Sequence, residues 1–167
     1  MNTMEAWSAH GATLSGRPLM GMPDANCRPY STHARLDIQQ FEAMCHAFRP
    51  HGAFVTGDEA VRMLRGISDR PLSTLARWIV SRSVLNISWQ GESLIPMFQF
   101  NAFDMSMRPS CACAVAELKD VFDDWELALW FAAPNSWLDY AAPVAMLDDE
   151  GVAVLQAARA DRFIARG

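Results

Sequence analysis

A chain of 167 residues, 51% apolar and 20% charged, has room for one ordinary domain or two small ones and can bury a core. That composition excludes wholesale disorder, a coiled coil and a collagen-like repeat. Charge is unevenly spread. Residues 56–110 carry six arginines against five acidic residues, whereas residues 111–167 carry four basic residues against ten acidic ones. The whole chain is not a generic polyanion binder; a weakly basic middle beside an acidic C-terminal part points to two surfaces with different partners.

No run approaches the ~18–20 apolar residues needed to cross a bilayer. The first thirty residues lack the basic start and apolar stretch of a secretory signal, so the expected address is cytoplasmic, with no membrane partner. The cysteines stand at 27, 45, 111 and 113. Only Cys111 and Cys113 are close, and no histidine lies near them, so reduced thiols are expected rather than a metal site or a disulfide.

In chain order, residues 1–35 show no sustained period and are rich in Gly, Pro, Ser, Thr, Asn and Met. They read as a poorly ordered arm or a vector-derived remnant. Residues 36–55 hold a helix with Ile38, Phe41, Met44, Cys45 and Phe48 at helical spacing, ended by Arg49-Pro50 and Gly52. Its wide apolar face makes it a candidate dimerisation element.

Thr56 and Glu59 form a capping box for the next helix, whose inner face is Ala60, Val61 and Leu64. After a turn at Ile67–Arg70, Pro71 opens another helix with Leu72, Leu75, Ala76 and Ile79 on its apolar face. Two short helices joined by a turn outline a helix-turn-helix. Val84–Trp89 and Ser93–Phe100, separated by Gln90-Gly91-Glu92, read as a β-hairpin in the position of a wing. Pro96 places the second strand at an edge or a bulge. Residues 56–108 thus form one segment.

Residues 109–167 read as a compact helical domain. A helix starts near Ser110, with Cys111, Val115, Leu118 and Phe122 on one side. Asp123 or Asp124 caps the next, Trp125–Ala133, which Pro134 terminates. Pro143–Leu147 makes a short helical piece. Asp148 or Asp149 caps a last helix, with Val152, Leu155, Ala158 and Phe163 expected to face inward. The fold class is therefore mainly α.

No glycine-rich phosphate loop, G-x-S-x-G or H-E-x-x-H is present. His10, His33, His46 and His51 all lie in or beside the least structured third. Asp120, Asp123, Asp124 and Glu126 fit a helix junction supplying an N-cap better than acid–base catalysis. No nucleophile–base pair emerges, so no enzyme and no cofactor are expected; a redox role for Cys111 and Cys113 is the remaining catalytic alternative. Arg62, Arg65, Arg70, Arg77 and Arg82 face a single acid within residues 60–82, Asp69. They fit either a solvated hairpin or a DNA-contacting face, with Arg70, Ser73, Thr74 and Arg77 near the outer side of the second helix. Trp125, Trp130, Phe131 and Trp137 are mostly core candidates, with Trp137 in a loop as either a core cover or a contact anchor.

The run Trp130-Phe131, Pro134-Asn135, Leu138, Pro143, Leu147, Val154 and Ala157-Ala158 resembles the toxin-binding domain of ParS/Xre-type antitoxins. Upstream, Trp89, Gly91, Pro96 and Phe98-Gln99-Phe100 resemble the signature of relatives that place a small helix-turn-helix before that domain. The resemblance covers roughly residues 56–160. It implies a homodimeric antitoxin that binds operator DNA through its N-terminal helices and covers the active site of a RES-domain toxin that consumes NAD. The contact residues it implies are Trp130, Pro134, Asn135, Trp137, Leu138 and Pro143. Tyr140 stands where the family usually has glycine, so the turn between Leu138 and Pro143 is expected to differ. The alternative is a stand-alone transcriptional regulator whose C-terminal part dimerises or senses a ligand.

Overall fold

The structure, a computed structural model, describes residues 32–167, and they are mainly helical. The arm expected at residues 1–35 lies outside the described residues except for its end, which joins the first helix, α1 (Thr32–Phe48). A three-residue turn and Gly52, at φ +103°, lead into β1 (Phe54–Thr56). Gly52 is required there: a Cβ would sit 2.8 Å from that of Met97.

Thr56 caps α2 (Gly57–Leu64) as the sequence predicts. Its hydroxyl accepts from the Glu59 amide at 3.3 Å, and the Glu59 carboxylate accepts from the Thr56 amide at 2.8 Å. Pro71 opens α3 (Pro71–Val80), where its missing N–H costs nothing. The hairpin follows as β2 (Ile87–Trp89) and β3 (Glu92–Pro96). Its two turn residues, Gln90 and Gly91, have φ of +51° and +85°, the handedness that a two-residue hairpin needs.

One expectation is corrected here. β3 is not an edge strand: the antiparallel order is β1-β3-β2, with Phe54 opposite Pro96. Pro96 is tolerated because it is the last residue of the strand, and the Met97 amide takes over, donating to Ala53 O at 2.9 Å. The residues after it, read as strand, form a helical turn at Met97–Gln99.

That turn sends three successive side chains in different directions. Phe98 enters a large cluster with Phe48, Leu85, Ile87 and Phe131, while Phe100 enters a second cluster with Ala60, Leu64, Leu75 and Ile95. Gln99, 3% exposed, accepts from the Leu85 amide at 2.6 Å and donates to the Pro96 carbonyl at 2.9 Å and the Leu85 carbonyl at 3.2 Å. Both N–H donors and the oxygen of a buried amide thereby find partners, which is the condition for keeping one in a core.

The C-terminal part comprises α4 (Pro109–Leu118), α5 (Asp124–Ala132), α6 (Pro143–Met146) and α7 (Gly151–Arg166). Asp123 and Glu126 cap α5 reciprocally, each bond 2.8 Å long, so part of the acidic cluster is a helix cap. The large core cluster joins Met44 and Phe48 of α1 to Leu118, Leu127, Phe131 and Val154 across residue 108. The inner face of α1, expected to be free for a dimer, is thus occupied within the chain.

Two expectations for α7 are also corrected. Neither Asp148 nor Asp149 caps it; Glu150 holds that position without a side-chain bond, and Asp148 pairs instead with Arg108. The buried residues are Val154, Ala157 and Ala158, whereas Val152 and Phe163 are 73% and 78% exposed. The helix phase is set by close approach to α4, where a Cβ on Gly151 would come 2.7 Å from that of Ser110.

Glu117 of α4 ties the two helices together, accepting from Arg159 at 2.9 Å and pairing with Arg162. The Arg159 bond holds the Glu117 carboxyl below the ordinary carboxylate range, against burial and with help from Arg162. A depressed carboxyl stabilises the fold above its unfolded pKa, and that contribution disappears as pH falls through the folded value. Thermal unfolding measured as a function of pH should therefore show stability falling below about pH 4. Glu117→Gln should flatten part of that fall.

Candidate functional site

The C-terminal surface is organised by a residue the sequence reading did not select. Asp161, on α7, accepts three side-chain N–H groups: Trp130 at 2.7 Å and Asn135 at 2.8 Å on Oδ2, and Trp137 at 3.0 Å on Oδ1. Asn135 in turn accepts from the Trp137 amide at 2.9 Å and is itself 9% exposed. Its backbone closes the loop, with its carbonyl accepting from Leu138 and Tyr140 at 3.0 Å and its amide donating to Ala141 O at 3.1 Å.

Of the six residues expected to contact a partner, Trp130, Asn135 and Trp137 are therefore brought onto one carboxylate. Leu138 and Pro143 are buried, and Pro134 is exposed where α5 ends. Trp137 is not folded over the core. Its N–H is tied, yet 56% of the residue faces solvent, beside the 75%-exposed Tyr140. One sequence signal marks Asp161: it is the lone acid in the last half of a helix otherwise carrying Arg159, Arg162 and Arg166. An acid there opposes the helix dipole and needs a specific partner.

The turn at Tyr140 keeps the geometry that glycine would favour. Asp139 and Tyr140 have φ of +51° and +63°, and the Ala141 amide donates to Leu138 O at 2.8 Å. The expected departure is thus in the side chain, not the backbone. Tyr140→Gly should relieve the left-handed strain of about 1 kcal/mol, partly offset by glycine's chain entropy, for a net gain of roughly 0.5 kcal/mol in chemical unfolding.

The basic set divides. Arg65 at the end of α2, Arg70 at the start of α3, and Ser73 and Arg77 on α3 are exposed, and none of these arginines has an ion-pair partner among the described residues. Arg62 lies 3.9 Å from Glu59 on α2. Thr74 turns inward, its hydroxyl sharing a 3.0 Å hydrogen bond with Ser68. Arg82 departs furthest from expectation. It donates to Asp124 at 2.8 Å, to Phe122 O at 2.8 Å and to Lys119 O, joining the end of α3 to the α4–α5 junction. A guanidinium so engaged is not free for a phosphate.

The thiols separate too. Cys111 is buried and burial pushes its pKa strongly upward, while Cys113 on the other side of α4 is exposed. A thiol held protonated is a poor nucleophile. Among the described residues, no helix is long and apolar enough to cross a membrane. No family model matches the chain, and neither a curated protein nor a solved structure matches it.

Proposed function

We propose that the chain is a non-enzymatic, antitoxin-like protein whose α5–α7 surface binds and sterically blocks a toxin of the RES-domain type. The observation that carries this reading is the Asp161 carboxylate pinning Trp130, Asn135 and Trp137 together, with more than half of Trp137 left in solvent. An aromatic anchor fixed before association loses little side-chain entropy on binding, which is how a small surface gains affinity. The acidic balance of residues 111–167 suits a partner whose substrate site is cationic. The resemblance of Trp130–Ala158 to ParS/Xre-type antitoxins supports the same assignment.

Operator binding belongs to this reading, and also to its alternative, a stand-alone regulator. Two short helices, α2 and α3, joined by a turn and followed directly by the β2–β3 hairpin support reading this segment as a helix-turn-helix with a wing, α3 being the recognition helix. Arg77 on it, Arg70 just before it and Arg65 at the end of α2 are cations without an ion-pair partner among the described residues. A homodimer fits operator binding, and it must form through a surface other than the inner face of α1.

Co-expression with the neighbouring gene's product tests the proposal. The expected result is a complex that survives purification. A partner that is folded and present but never retained contradicts it, and duplex binding alone then supports the regulator.

A further inference from the structure

The two sides of α3 are sharply different. Leu75 is buried, and Pro71, Thr74, Trp78 and Ile79 are partly buried, so that side packs on α2 and the second core cluster, Leu75 joining Ala60, Leu64 and Ile95. The other side, Leu72, Ser73, Ala76, Arg77 and Val80, is exposed throughout, with Leu72 at 68% and Val80 at 85%. Leu72, Ala76 and Val80 recur every four residues, which makes one continuous apolar ridge on a helix surface. Ser73 and Arg77 form the polar ridge beside it. Solvation alone does not account for three apolar residues in a row on the outermost face of the chain's most basic segment.

A ten-residue helix is about 15 Å long and fits the major groove, where the one apolar group displayed by the bases is the C5-methyl of thymine. We propose that the Leu72–Ala76–Val80 ridge packs on thymine methyl groups while Ser73 and Arg77 hydrogen-bond beside it, so that the preferred duplex carries thymines where α3 lies. This rests on the duplex-binding reading given above. Charge favours DNA over a second copy as the occupant. Two copies joined face to face through α3 would bring their Arg77 side chains, without ion-pair partners among the described residues, toward one another, whereas phosphates offset Arg65, Arg70 and Arg77.

The test selects the best duplex from a random-sequence pool with the full chain, then remakes it with 2′-deoxyuridine in place of each thymidine. Losing one buried methyl contact should weaken binding roughly three- to fivefold. Leu72→Ser and Val80→Ser, at exposed positions, should abolish the difference between the two duplexes, while Arg77→Ala should weaken both. Equal affinity for the two duplexes, or selected sites without enriched thymine, overturns the inference and leaves duplex binding standing. A Leu72→Ser variant that changes from dimer to monomer in sedimentation, with discrimination between the duplexes intact, assigns the ridge to a second copy instead. No retained duplex at low salt overturns this inference and the duplex-binding reading together, but not the partner surface around Asp161.

Discussion

Phe98→Ala should destabilise the protein by about 3–5 kcal/mol and lower its melting temperature by on the order of 10 °C, the largest effect of any single truncation considered for this chain. Phe98 has no solvent exposure and lies between two other rings, 4.7 Å from Phe48 and 4.9 Å from Phe131. Phe48 ends α1, and Phe131 belongs to α5. The cavity would therefore open where the N-terminal and C-terminal elements meet, and neither side can collapse into it without moving the other. The same geometry predicts one cooperative transition for residues 32–167 in wild type, monitored by tryptophan fluorescence and by helix content. Two separated transitions in wild type would show that the shared core does not couple the halves.

Asp161→Asn should cost about 2 kcal/mol, although it changes neither size nor shape. Both carboxylate oxygens already accept N–H groups. An amide replaces one acceptor with a donor, so either Trp137 or the Trp130–Asn135 pair meets an N–H instead of an oxygen. If Trp137 is released, its fluorescence should shift red and become more accessible to quencher; a variant with wild-type stability and emission would remove Asp161 from its organising role. Trp137→Ala, by contrast, removes a mostly exposed ring and should change stability little.

What the sequence made legible was local. The Thr56–Glu59 cap, the aspartate cap of α5 (Asp123, one of the two the pattern offered), Pro71 at a helix start and Pro134 after a helix end all act within four residues of themselves. The missing pieces are set by contacts far along the chain. β1 is only three residues long and is stabilised by β3, forty residues on. The phase of α7 follows from Gly151 meeting Ser110, and Arg82 reads as a free cation until the Lys119 and Phe122 carbonyls are brought to it.

The candidate site divides the same way. Trp130, Asn135 and Trp137 stand out in the sequence as an aromatic and loop motif, but the acceptor that unites them lies more than twenty residues later, on another helix. The Phe98-Gln99-Phe100 run likewise reads as a motif before its reason is visible. Two rings serve two cores, and the amide between them fastens Leu85.

The most direct test of the partner surface is cellular NAD in cells expressing the neighbouring gene's product together with wild type, Trp137→Ala or Arg77→Ala, at equal levels of folded protein. The account predicts that wild type and Arg77→Ala preserve NAD and that Trp137→Ala does not. Full protection by Trp137→Ala, or depletion that wild type fails to prevent, would contradict it.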